Sequence, residues 1–165
     1  MKKLFLAALL SPLLFMLGGC PVGMDYSPGN PGSEKINSRL LGTWTCANDT
    51  CEAINEVEVK KLNDYSYSID VMDVSEMYSL ETRHLTGYTT NIGGHDFLYC
   101  LPEGDTLWYT YEYSFTDNNH LYLQDIGLKV KGVEGVTSVV AFRAEIEASL
   151  RVEGSLSNLQ SYVKN

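Results

Sequence analysis

Nowhere in the 165-residue sequence does an apolar run reach the ~20 residues that a helix needs to cross a bilayer. The longest, residues 4–16, is interrupted by Ser11 and Pro12 and followed by glycines, which opposes a permanent transmembrane helix. Positive charge is scarce: 12 lysines and arginines stand against 21 aspartates and glutamates. That balance disfavours nucleic acid and anionic membrane surfaces as partners. No internal repeat is present, and no serine elbow, phosphate loop or metal-binding helix motif occurs.

What is there begins with Lys2 and Lys3 ahead of the apolar run, the n-region and h-region of a signal peptide. The run closes on Leu17-Gly18-Gly19-Cys20, which resembles the bacterial lipobox: a large aliphatic residue, two small ones, then the cysteine that is diacylated before cleavage. The resemblance implies that residues 1–19 are removed and that Cys20 becomes the lipid-bearing first residue. One acyl chain holds a protein only marginally, whereas the two or three of a bacterial lipoprotein anchor it stably. The residue after the cysteine is Pro21 rather than aspartate, which in a Gram-negative host implies the outer membrane, facing the periplasm. The competing reading is a buried cytoplasmic helix that happens to end in a cysteine; the N-terminal position, the leading lysines and the small-residue ending oppose it. Loss of Lys2 and Lys3 leaves ten basic against 21 acidic residues, a mature net charge of −11.

Residues 20–37 continue as a segment rich in proline and glycine with no apolar periodicity, the composition of a flexible tether. As a free chain it would hold the remainder of the protein roughly 20 Å from the lipid. Residues 38–165 then form one domain, long enough for a single core and too short for two comfortable ones. With 44% hydrophobic residues and eleven tyrosines in the chain, a globular rather than disordered domain is expected.

Export places Cys46, Cys51 and Cys100 in an oxidising compartment, while Cys20 is consumed by lipid. Three thiols cannot all pair. Asn48-Asp49 between Cys46 and Cys51 has turn composition, so a bridge can close there, contributing about 2 kcal/mol by loop-closure entropy. Cys46 with Cys51 is the favoured pair; either one with Cys100 is the alternative. The leftover thiol is expected to be buried. A zinc site built from the three cysteines with His84, His95 or His120 is disfavoured, because no pair has knuckle spacing and the compartment favours disulfides. No metal or other cofactor is expected.

Most of the mature chain alternates with a period of two, as half-buried strands do. Strands are expected near residues 40–46, 57–62, 65–71, 78–89, 97–101, 107–115 and 121–123, with turns at Asn63-Asp64 and Asp117-Asn118-Asn119. The clearest places Leu107, Tyr109, Tyr111, Tyr113 and Phe115 on one face, with Trp108, Thr110, Glu112 and Ser114 on the other. Residues 141–152 fit both periodicities, but Ala, Glu, Arg and Leu favour a helix, with Gly154 as its stop. The fold class expected is mainly β: a small antiparallel meander barrel or strongly curved sheet with one C-terminal helix. Gly42-Thr43-Trp44 resembles the Gly-x-Trp signature on the first strand of lipocalins, in which the tryptophan plugs the closed end of the barrel. The resemblance implies a lipocalin-like β domain. The family's Thr-Asp-Tyr loop is not matched at Thr116-Asp117-Asn118, and its late arginine over the tryptophan has no clear counterpart.

Candidate chemistry is sparse. His95-Asp96 after Gly93-Gly94 pairs a potential base with a carboxylate, but neighbours on a strand point to opposite faces, so a hairpin turn is the simpler reading. His120 is likewise most simply a turn residue. Glu103, Asp105 and Glu112 supply carboxylates, yet Glu103-Gly104-Asp105 reads as a hairpin tip. No catalytic residue is assigned, and an enzyme is not expected. Tyr109, Tyr111, Tyr113 and Phe115 remain as residues that could line an apolar ligand cavity, or could fill the core of a small barrel. The function expected is that of a noncatalytic envelope lipoprotein, held to the membrane through Cys20 and binding a small apolar ligand or an envelope component. The alternative is an acidic protein-binding module, such as an inhibitor of a cationic cell-wall hydrolase. Oligomeric state is not legible.

Overall fold

A computed structural model describes residues 23–47, 51, 54–74 and 80–165. The segment expected to be a signal peptide, and Cys20, lie outside the described residues. Eight antiparallel strands in meander order close into a barrel: β1 (Gly42–Cys46), β2 (Ile54–Asn63), β3 (Ser66–Val74), β4 (Leu80–Ile92), β5 (His95–Pro102), β6 (Tyr109–Phe115), β7 (His120–Ile126) and β8 (Leu156–Lys164). Strand β8 pairs with β1, setting Trp44 against Lys164 and Cys46 against Tyr162, so the sheet has no free edge. The mainly β meander barrel expected from the alternation, and the lipocalin-like form implied by the resemblance at Gly42-Thr43-Trp44, are therefore present.

The alternating residues point where the period of two puts them. Tyr67, Ile69 and Val71 of β3 are buried, as are Leu98 and Cys100 of β5 and Tyr113 of β6. Gly87 of β4 supplies no side chain where Ile69 packs: a Cβ there would lie 2.5 Å from Ile69 Cδ1. The outer face of β2 to β4 carries charge, with Lys60 Nζ 2.7 Å from Glu58 and 3.6 Å from Asp70, and His84 Nδ1 2.7 Å from Asp70. Apolar inside and charged outside is the reverse of a membrane-spanning barrel. Leu62 of β2 is exposed, since it stands an odd number of residues from the inward-facing Val57 and Val59.

The predicted helix exists as α1 (Val139–Ser149), two residues earlier than expected and capped by the Ser138 hydroxyl, which accepts from the Ala141 N–H at 3.1 Å. It ends at Ser149, and Gly154, at φ 72°, turns the chain into β8 rather than stopping the helix. The helix thus sits inside the β7–β8 connection, and a strand not foreseen comes after it. Phe142 and Ile146 pack with Ile92, Phe97, Val136 and Met24, forming a second core on the outside of the barrel.

Most of the segment expected to be a free tether is docked. Met24 forms a two-way bridge with Trp108, its N–H donating to Trp108 O at 2.9 Å and its carbonyl accepting from Trp108 N–H at 2.8 Å. Ser27, Pro28 and Gly29 are buried; Thr90 donates its hydroxyl to Glu34 at 2.6 Å, and the Ile36 N–H donates to Asp64 O at 3.1 Å. Proline and glycine here serve close packing against Tyr99 and Thr90. The folded unit accordingly begins well ahead of residue 38.

Candidate functional site

Alternate residues of the strands face the barrel axis, but the axis is filled unevenly. At the end crossed by Ser38–Leu40, large rings close it. Trp44 is wholly buried and donates its indole N–H to Leu40 O at 2.8 Å. Its ring centroid lies 6.0 Å from Phe115, which meets Tyr113 edge-on at 5.8 Å. Two cations cover this plug: Arg39 Cζ stands 4.2 Å from the Phe115 centroid and Lys164 Nζ 5.1 Å from that of Trp44. Asn37 ties the plug to the docked segment ahead of it, donating its N–H to Tyr67 Oη at 2.6 Å. The residue over the tryptophan is Lys164 of β8 rather than an arginine; with β8 unrecognised in the sequence, nothing marked that lysine out.

Towards the other end the rings give way to a cavity of about 470 Å³. Its walls include Val57, Ile69, Val71, Leu85, Leu98 and Leu123, with Tyr109 and Tyr111 from β6 and Gln160 and Tyr162 from β8. Arg83 and Asp105, both exposed, are among the lining residues, so the space reaches the surface at the β5–β6 turn. A separate void of about 30 Å³ between the cavity and Trp44 shares Val57, Ile69, Leu98, Leu123 and Tyr162 with it. That void holds no more than a water molecule or two.

The four aromatic candidates of β6 therefore divide. Tyr109 and Tyr111 line the cavity, whereas Tyr113 and Phe115 do not: they lie deeper and belong to the plug. Half of the aromatic row thus borders open space and half fills the core. Burial pushes the Tyr111 phenol above its ordinary pKa, so it stays protonated as a neutral donor on an apolar wall.

The cysteines sit at the same end. Cys46 and Cys51 form a disulfide, with Cα atoms 5.9 Å apart. Cys100 is left as a buried thiol on the cavity wall, and burial pushes its pKa up to about 12. With two of three cysteines bonded to each other, the weighed zinc site loses its ligands; among the described residues no cluster of His, Cys, Asp and Glu is placed to hold a metal.

None of the candidate acid–base groups meets the cavity in a catalytic pair. His95 Nδ1 lies 3.2 Å from Glu112 Oε1, on the outer face of β5 and β6. Asp96 accepts instead from Asn91 across the Gly93-Gly94 turn at 2.8 Å. His120 bonds to Asp117 at 2.8 Å in the β6–β7 turn, where Asp117 also accepts the backbone N–H of Asn119 at 2.7 Å. Glu103 and Asp105 occupy an exposed turn, Asp105 accepting from the Thr106 N–H at 2.6 Å.

The chain matches no protein-family model, no curated protein and no solved structure. The cavity and its surroundings are thus the basis on which function is read.

A buried carboxylate that the sequence did not single out shapes the long β7–β8 connection. Glu145 of α1 accepts the backbone N–H groups of Val130, Lys131 and Gly132 at 3.0, 2.8 and 3.2 Å. Ser149, one turn on, accepts the Lys129 N–H at 2.8 Å and lies 3.3 Å from the same Glu145 oxygen. Burial pushes this carboxyl up, but the three N–H groups and Ser149 outweigh it, so its pKa lies below its ordinary value of 4.5.

Proposed function

We propose that this protein is a noncatalytic envelope lipoprotein, anchored through Cys20, whose barrel holds a small apolar ligand. The observation that carries the reading is the cavity of about 470 Å³, walled by Val, Leu and Ile with three tyrosines and reaching the surface at Arg83 and Asp105. That volume falls in the ~300–1,000 Å³ range of small-molecule sites, which are mostly apolar with a few polar groups to fix orientation. An apolar guest gains by leaving water for such walls, while the phenols of Tyr109 and Tyr111 and the amide of Gln160 offer hydrogen bonds to a polar end. The noncatalytic part is supported by the separation of His95 and Glu112 from this cavity, on the far side of the sheet. The lipid anchor is supported by the lipobox resemblance at residues 17–20.

Native mass spectrometry of the full-length protein, extracted from its membrane in mild detergent, tests the reading. A bound mass that persists in gentle spectra and leaves on denaturation is expected. Leu123→Trp, which places an indole in the cavity, should lack that mass while keeping the fold. A wild-type barrel with no adduct, and with no uptake of an added apolar dye, would rule the ligand out. Unmodified Cys20 in the denatured spectrum would rule out the anchor independently.

A further inference from the structure

The strap formed by residues 24–37 has a direction. Asn37 reaches the closed end, at Tyr67, and Glu34 meets Thr90 of β4. Gly29 packs against Thr90 and Tyr99, and Met24 bridges Trp108, the residue just ahead of β6. The chain thus runs down the outside of β4 to β6 from the open end to the plug. Its upper end is Gly23, packed so closely on the β5–β6 turn that a Cβ there would stand 3.0 Å from Leu107 and 3.3 Å from the Tyr109 ring. Tyr109 is itself a wall of the cavity.

Only Pro21 and Val22 separate Cys20 from this point, three residue steps in all. Three residues span at most about 10 Å when fully extended. The geometry points to the cavity rim as the membrane-facing surface of the protein, with the acyl chain of a bilayer lipid as the occupant. This rests on the reading that Cys20 carries lipid. A free tether would let the barrel turn in any direction; a docked strap with a three-residue leash does not. With the acyl groups in the bilayer, the β5–β6 turn and the opening at Arg83 and Asp105 are held at the headgroups.

The orientation bears on what can enter. A lipid chain that crosses water exposes every methylene and loses free energy in proportion to its apolar area. A chain sliding from the bilayer into an apposed apolar cavity exchanges one apolar medium for another. The occupant is a bilayer lipid rather than the protein's own acyl chains, because every chain drawn from the bilayer into the cavity weakens the anchor.

The test uses the full acylated protein in vesicles of phosphatidylethanolamine and phosphatidylglycerol. A fluorophore is attached at Thr106→Cys, on the β5–β6 turn, or at Asn118→Cys, on the β6–β7 turn at the plug end. Cys100 is buried and Cys46 is bonded to Cys51, so the new thiol reacts alone. Nitroxide-headgroup lipid should quench the label at 106 about threefold or more over that at 118, since roughly 20 Å of strand separates them. A photoreactive acyl chain on the vesicle lipid should cross-link to cavity residues, and Leu123→Trp should abolish the cross-link while leaving the quenching contrast intact. Equal quenching at the two positions, with Cys20 acylated, overturns the orientation while leaving the anchor standing. No cross-link from the vesicle lipid to cavity residues, with Cys20 acylated and the quenching contrast present, overturns the occupant. An unacylated Cys20 removes the orientation together with the reading on which it rests.

Discussion

Glu145→Gln is the substitution whose effect can be derived most closely from geometry. The variant keeps the size of the side chain and one acceptor oxygen but loses the charge that holds three successive N–H groups at 2.8–3.2 Å. Hydrogen bonds to a charged group contribute about 1.5–3 kcal/mol each, against about 0.5–1.5 for neutral pairs. Three such differences would approach ~4 kcal/mol if they added. Bonds sharing one acceptor atom do not add, and Val130 and Lys131 are exposed enough for water to take their donors. The expected loss is therefore about 2 kcal/mol for Glu145→Gln, and about 3 for Glu145→Ala, which leaves no acceptor. For a domain of this size the first shifts the melting temperature by roughly 5–10 °C.

The pH dependence gives a second handle on the same residue. The folded-state pKa of Glu145 lies below its unfolded value of 4.5, so the ionised form stabilises the fold. That contribution is fully present above the unfolded value and is lost as pH falls through the folded one. Urea titrations of wild type and Glu145→Gln at neutral pH should differ, and the gap should close in acid. A variant as stable as wild type at neutral pH, or a gap unchanged in acid, would refute the assignment of this carboxylate as the clamp of the β7–β8 connection.

Other perturbations reach other parts of the barrel. Trp44→Ala empties the plug and should cost about 3–5 kcal/mol, read as a drop in the urea midpoint; Trp44→Phe, which removes the bond to Leu40 O and part of the ring volume, should cost less, about 1–3. Reducing the Cys46–Cys51 bridge should lower the melting temperature by an amount equivalent to roughly 2 kcal/mol or less, because the closed loop is short. Cys100, with its pKa pushed up to about 12, should resist thiol reagents in the folded protein at neutral pH and react at once in denaturant.

Much of the barrel was legible because a half-buried strand has to alternate. The rows Tyr67-Ile69-Val71 and Tyr109-Tyr111-Tyr113-Phe115 announced both the strands and their inner faces. Depth along the axis was not legible: that Tyr111 bounds a cavity while Tyr113 packs in the plug depends on how the strands tilt as the sheet closes. Strand β8 escaped notice for a local reason. Asn158 adopts φ 51° and the β7–β8 register shifts between Leu123 and Asp125, which breaks the alternation and leaves Leu159 exposed. With β8 went Lys164 and the cavity residues Gln160 and Tyr162. The strap was hidden by composition, since proline and glycine read as a linker whether the chain is free or, as at Pro28 and Gly29, buried. Glu145 gave no signal because its partners are backbone groups, which sequence does not distinguish.

The central claim is that the space beside Tyr109 and Tyr111 belongs to a ligand, and a crystal structure of the full-length protein purified from its producing cells tests it most directly. The account predicts continuous non-protein density in the cavity of about 470 Å³, bounded by Leu85, Leu98, Tyr111 and Leu123 and reaching the rim at Asp105. Tyr109 and Tyr111 turned inward to fill that space, with no foreign density between them, would contradict it.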